Sequence, residues 1–144
     1  MKQNYFCSII NDDYMSIQYK ILVAEDEYTN ALLLKKILTN KGYQTEVAYN
    51  GAEAFAFLEK DTFHVLLADW MMPVMDGIEL IRRTIAWIKP KPYIIMVTAL
   101  ASSKAENYAR ASGADDYIAK PINNDDLLER VVKGIEKISE KLMN

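Results

Sequence analysis

The sequence predicts an α/β fold: a five-stranded parallel sheet in the order 2-1-3-4-5, doubly wound, with five helices. Three observations predict it. Short strand-like runs alternate five times with longer segments of helical periodicity, the pattern of consecutive strand–helix units. Gly, Pro, Asn or Asp punctuates the junctions between them. Four of the strand runs end in polar groups, at Glu25-Asp26-Glu27, Asp69, Thr98 and Lys120.

Each element has its own signal. Ile21-Leu22-Val23-Ala24 is the first strand. Ala31-Leu32-Leu33-Leu34 and Ile37-Leu38 then recur at helical spacing, with Thr29 or Asn30 as the expected cap and Gly42 just past the end. Gln44 to Ala48 alternates as a short strand, and Asn50-Gly51 reads as a turn. Ala52 to Leu58 is a second helix, closed by Lys60-Asp61. His64-Val65-Leu66-Leu67-Ala68 runs as a buried strand into Asp69. Gly77 opens the third helix, Ile78 to Ile88, which Pro90 and Pro92 stop. Tyr93 to Val97 is the fourth strand, and the small polar helix Ser102 to Ser112 stops at Gly113. Asp116-Tyr117-Ile118-Ala119 is the fifth strand. The last helix begins at Asn123-Asn124-Asp125 and is expected to bury Leu127, Leu128, Val131, Val132, Ile135 and Ile138.

Composition narrows the function. The 144 residues suffice for one domain with a real core and not for two ordinary ones. Hydrophobic residues at 51% and charged residues at 26% give a globular balance, and a net charge of −3 offers no general basic surface for nucleic acid. No apolar run approaches the roughly 20 residues of a membrane-spanning helix. Neither nucleic acid nor membrane is therefore expected as a direct partner. The single cysteine, Cys7, has no intrachain disulfide partner, which fits a reducing compartment. Residues 1–18 read as an N-terminal extension outside the core, and residues 19–144 as the domain. Met15 would serve as a start, so residues 1–14 read as an upstream addition. The competing reading is an arm that packs on the domain or on a partner.

Right-handed crossovers bring all five strand C-termini to one edge of the sheet. The order 2-1-3-4-5 makes strands one and three neighbours at the switch point, where ligands collect. Glu25, Asp26 and Asp69 are then close enough to repel one another, which a divalent cation offsets. An all-oxygen set favours a hard ion, Mg²⁺ with Mn²⁺ as the alternative. Lys120 and Thr98 bring an ammonium and a hydroxyl suited to phosphoryl oxygens. Together the groups fit an aspartate that accepts a phosphoryl group as an acyl phosphate. The sequence carries no Gly-rich nucleotide cradle, which disfavours ATP as the direct donor.

On these residues the chain resembles the receiver domain of two-component response regulators, over about residues 19–141. Glu25-Asp26 is similar to that family's acidic pair. Asp69, in Asp-Trp-Met-Met-Pro-Val-Met-Asp-Gly, is similar to its phosphoacceptor and following loop. Thr98-Ala99 matches the switch hydroxyl and small residue, Lys120-Pro121 the lysine and cis-prolyl bond, and Tyr117 the switch aromatic. The resemblance implies a flavodoxin-like, cytoplasmic signalling switch rather than an enzyme acting on other molecules. A histidine kinase or histidine phosphotransfer protein would supply the phosphoryl group to Asp69. Mg²⁺ would be held by Asp26, Asp69 and the main-chain carbonyl of Met71, with Glu25 acting through water. Thr98 and Lys120 would grip the phosphoryl oxygens. Thr98 would move toward them and Tyr117 rotate inward, altering the surface of helix four, strand five and helix five. That same face is where a homodimer would form. The downstream target is unknown, and the chain is expected to be either a stand-alone receiver or part of a larger protein.

Two other functions compete. A haloacid-dehalogenase-like phosphatase needs its nucleophile at the first strand tip and a second Asp two residues on, where this chain has Tyr28. A receiver-like binding module without phosphorylation is disfavoured by the intact set Asp26, Asp69, Thr98 and Lys120. Trp70 is expected to cover the site as a half-exposed lid and to report on it by fluorescence. His64 reads as structural. Met71, Met72 and Met75 are thioethers in oxygen-rich surroundings and do not read as a metal cluster.

Overall fold

Four apolar runs and the alternating segment after the first helix extend as strands β1 (Lys20–Ala24), β2 (Gln44–Ala48), β3 (Val65–Asp69), β4 (Tyr93–Thr98) and β5 (Asp116–Ala119). The helices are α1 (Tyr28–Asn40), α2 (Gly51–Lys60), α3 (Gly77–Trp87), α4 (Ser103–Ser112) and α5 (Asn124–Met143). The computed structural model describes residues 18–143; the expectations for residues 1–14 and Cys7 lie outside the described residues. All strand pairings are parallel and the order is β2-β1-β3-β4-β5, as the alternation predicts.

Strand pleat divides the core into two layers. Ile21, Val23, Val65, Leu67, Ile95 and Ile118 pack with Leu34 and Leu38 of α1 and with Leu127, Val131 and Ile135 of α5. Leu22, Leu66, Ile94 and Met96 pack with Ala54 and Leu58 of α2, Ile78, Leu80 and Ile81 of α3, and Ala109 of α4. Every residue of β3 and β4 is buried. A one-residue slip of β3 would exchange its two faces, each filled with side chains whose burial is worth about 1.5–3 kcal/mol apiece. The core therefore fixes where Asp69 emerges.

Several expected details differ. The cap of α1 is Glu27, whose carboxylate accepts the Asn30 N–H at 2.9 Å; Thr29 and Asn30 lie inside the first turn. Asn50 is the cap of α2, accepting from Glu53 N–H, and Gly51 is the first helical residue rather than part of a free turn. Leu32, Leu33 and Val132 are 41%, 55% and 45% exposed. At about 100° per residue, consecutive apolar positions cannot all face one core. The chain leaves α3 after Trp87, so Ile88 lies outside the helix as its cap. The Lys89–Pro90 and Lys120–Pro121 peptides are both cis; the second is the one the resemblance implies.

His64 is structural, as expected. Its Nδ1 accepts the Lys20 N–H at 3.0 Å, and Tyr19 meets its ring edge-on at 5.1 Å. Burial, with the Lys20 charge adding to it, lowers the His64 pKa below its ordinary value. The unfolded chain then binds the proton more readily than the folded one. Stability linked to His64 is thus fully present above about pH 6.5 and is lost as pH falls through that value toward the lowered folded pKa. Urea unfolding should show the gap between wild type and His64→Asn shrinking from about pH 7.5 to about pH 5.5. A gap independent of pH over that interval rejects the assignment.

Candidate functional site

Strand register sets the positions of the polar tips. Ala24 pairs with Ala68, so Glu25 lies level with Asp69. Asp69 pairs with Val97, which leaves Thr98 one step further out, and Thr98 pairs with Ala119, which puts Lys120 one step beyond that. Pleat then sorts them by face. Glu25, Asp69 and Lys120 share the phase of the α1–α5 layer, whereas Thr98 shares the phase of the layer that holds Tyr117.

The charged groups meet directly. Lys120 Nζ donates to Asp69 Oδ2 at 3.0 Å and to Glu25 Oε1 at 2.9 Å. The other Glu25 oxygen accepts the Glu27 N–H at 3.0 Å. Carboxylate oxygens of Glu25, Asp26 and Asp69 all lie within 4.8 Å of one another. Glu25 is buried, Asp69 is 9% exposed at the rim, and Asp26 is open to solvent. Burial raises the Glu25 pKa; hydrogen bonds from Lys120 and the Glu27 N–H oppose the rise, and the Asp69 charge adds to it. Burial alone would lower the Lys120 pKa, but its bonds to Glu25 and Asp69 outweigh that and raise it. Lys120 is therefore held as an ammonium.

This donor set fits a hard divalent cation. Among the described residues three carboxylates converge, one ammonium bonds to them, and the cluster includes no His or Cys ligand. The Met71 carbonyl, two residues past Asp69, accepts no backbone hydrogen bond among the described residues.

The loop after Asp69 is pinned from two sides. Gly77 N–H donates to the Trp70 carbonyl at 2.8 Å, and Gly51 N–H to the Met75 carbonyl at 3.0 Å. A Cβ at Gly77 would collide with the Asp69 carbonyl and the Trp70 Cα, and one at Gly51 with the Met75 backbone. Only glycine lets α3 begin against the end of β3. Between these pins Val74 sits at φ 70°, a region that β-branched residues rarely enter, and Met75 N–H closes on the Pro73 carbonyl at 2.7 Å. Asp76 caps α3 by accepting the Glu79 N–H.

Among the described residues the Thr98 and Tyr117 side chains make no hydrogen bond to the side chains of Glu25, Asp26, Asp69 or Lys120, but both bond to Leu100. Thr98 Oγ1 accepts the Leu100 N–H at 3.3 Å, and the Tyr117 hydroxyl donates to the Leu100 carbonyl. The peptide groups of Leu100 thus link hydroxyl and aromatic, with Thr98 1% and Tyr117 6% exposed. Leu100 carries no sequence signal for this role, because its main chain does the work. Trp70 is half-buried beside the site, as expected, and stacks on Tyr108 of α4 with centroids 5.9 Å apart and planes at 17°. Arg82 of α3 donates to the Tyr108 hydroxyl at 2.7 Å. Neither partner was predictable, since the stack joins three elements through exposed residues. A cavity of about 300 Å³ opens beside Glu25 and Lys120, bounded by Leu33 and Ile37 of α1 and by Ile122.

A doubly wound parallel sheet with clustered carboxylates and a lysine at its switch-point edge defines a receiver-like α/β protein. The chain matches the response regulator receiver domain over residues 21–132 and belongs to that family, the receiver domains of two-component systems. It is 32% identical over 130 residues to the phosphate regulon transcriptional regulatory protein PhoB of Rhizobium meliloti, covering 87% of this chain and 56% of that protein. It is 34% identical over 115 residues to the transcriptional regulatory protein CrdR of Helicobacter pylori, covering 80% and 54%. The chain spans about half the length of these curated relatives. Among solved structures, a CheY-like receiver domain protein from Methanospirillum hungatei superposes with a TM-score of 0.81 at 32% identity, covering 87% of this chain and 99% of that one.

Gly77→Ala should cost about 1–3 kcal/mol, the range for forced overpacking. Urea unfolding measures it, and an unchanged midpoint would show that the loop can yield.

Proposed function

We propose that Asp69 accepts a phosphoryl group from a phosphohistidine on a histidine kinase or histidine phosphotransfer protein, and that the receiver unit spans residues 19–144. The observation that carries this reading is the Lys120–Asp69 bond of 3.0 Å within a carboxylate cluster at the sheet's switch point. A carboxylate oxygen of Asp69 attacks phosphorus, the phosphorus–nitrogen bond breaks, and its electron pair returns to the donor imidazole. Lys120 lies within reach of an oxygen on that phosphoryl group, and Thr98, at the end of the neighbouring strand, supplies a hydroxyl. Glu25, Asp26, Asp69 and the Met71 carbonyl would hold Mg²⁺ or Mn²⁺, which when bound supplies positive charge against the phosphoryl oxygens. The cavity bounded by Leu33, Ile37 and Ile122 suits an apolar donor surface beside the site.

Phosphorylation adds negative charge where Lys120 now bridges Glu25 and Asp69. Thr98 would shift toward the new oxygens, pull on Leu100 and bias the inward position of Tyr117. The surface of α4, β5 and α5 would then change for a downstream target or a second copy of the chain. Hydrolysis of the acyl phosphate resets the switch.

Intact mass after incubation with acetyl phosphate tests the chemistry. Wild type should gain one phosphoryl group only with Mg²⁺ present, and Asp69→Asn should gain none while keeping its fold. A gain in Asp69→Asn would move the acceptor elsewhere; no gain and no Mg²⁺ binding in wild type would leave a binding module. Lys120→Ala should still bind Mg²⁺ yet lose the phosphorylation-induced change in Trp70 fluorescence. A full fluorescence response in that variant removes Lys120 from the mechanism.

A further inference from the structure

The chain enters the domain at the sheet edge opposite Asp69. Tyr19 lies edge-on against His64 and its hydroxyl is 3.2 Å from Ser139 Oγ of α5. His64, which Tyr19 meets, also lines an open cavity of about 170 Å³ together with Phe63, Pro90 and Ile138. Lys91 and Lys141 also line it. A cavity of about 150 Å³ is known to accept a benzene ring, so this one has room for a single large apolar side chain.

The sequence upstream of Gln18 has the matching chemistry. Phe6-Cys7-Ser8-Ile9-Ile10 is apolar, and Asn11-Asp12-Asp13 follows it at once. A segment as long as residues 11–17 spans at most about 25 Å, enough to reach a cavity lined by His64, the residue Tyr19 contacts. The tether makes such docking intramolecular, with an effective concentration on the order of millimolar for a connection this short. We propose that one large apolar side chain of the run Phe6–Ile10 seats in this cavity of its own chain, with Asp12 and Asp13 facing Lys91 and Lys141. Lys91 is available for this, because its pairing with Asp115 is long at 3.5 Å and half-open to solvent. The arm would tie the starts of β3 and β4 to the last turns of α5. It makes the N-terminal extension a structural part of the domain rather than an inert addition.

Cys7 is the chain's single cysteine and takes a nitroxide label without engineering. In the full-length ¹⁵N-enriched protein, amides of residues 62–64, 91 and 138–141 should broaden, and Lys91→Glu combined with Lys141→Glu should weaken that broadening several-fold. Broadening confined to residues 18–20 overturns the proposal. Broadening centred on Leu33, Ile37 and Ile122 does so too, by placing the arm at the other cavity. Broadening in enriched, unlabelled chains mixed with labelled, unenriched ones would assign the occupant to a second copy and overturn the intrachain reading. Hydrogen exchange without any label gives an independent check. Protection at residues 62–64 and 138–141 should fall several-fold in a chain beginning at Met15, and equal protection in both chains rejects docking.

Discussion

One ammonium facing too many carboxylates is the constraint on which the site depends. Lys120 bonds to both Glu25 and Asp69, and Asp26 adds a third acidic group within 4.8 Å. Glu25 is buried and its pKa is raised, the sign of a carboxylate taken out of water with incomplete compensation. Such an edge is stable enough to fold but electrically unfinished. It takes up positive charge readily, and any new negative charge on Asp69 competes with Glu25 for the same lysine.

The pleat decides how that imbalance reaches the rest of the molecule. Glu25, Asp69 and Lys120 share one face of the sheet, toward α1 and α5, and the Thr98–Leu100–Tyr117 link lies on the other. Thr98 stands one register step beyond Asp69 at the open end of the sheet, where the two faces are no longer separated by backbone. Thr98 therefore stands between the charged groups of the first face and the Leu100 link of the second. The loop after Asp69 is pinned on either side by Gly51 and Gly77.

Those parts of the molecule governed by periodicity and punctuation were legible in the sequence. The strand order, the five helices and the convergence of Glu25, Asp26, Asp69 and Lys120 all follow from alternation and crossover handedness. Helix starts differ from expectation by one to three residues because caps are chosen by local geometry: Glu27 outcompetes Thr29 and Asn30 by standing one residue before the first turn. Val132 differs from the buried position expected of it because apolar identity does not specify azimuth. The Leu100 link and the Trp70–Tyr108–Arg82 stack were hidden for different reasons. The first runs through main-chain atoms that every residue possesses, and the second joins side chains whose proximity exists only after α3, α4 and β3 are packed.

Differences in anchoring among the helices complete the physical picture. Five residues of α3 are buried, including Ile78, Leu80 and Ile81, so it is held as firmly as the sheet. Only Ala109 of α4 is buried, and a methyl group contributes far less than a leucine. Segments with few buried contacts open at the lowest free energy. What else holds α4 lies at its surface: the Trp70–Tyr108 stack and the Arg110 bonds to the Asp115 carbonyl and the Asp116 carboxylate. Trp70 directly follows Asp69, so the helix with a single buried residue is fastened at one point beside that carboxylate. Asp69 and α4 are thus joined from outside by the indole stack, and the Leu100 link lies in the segment that leads into α4.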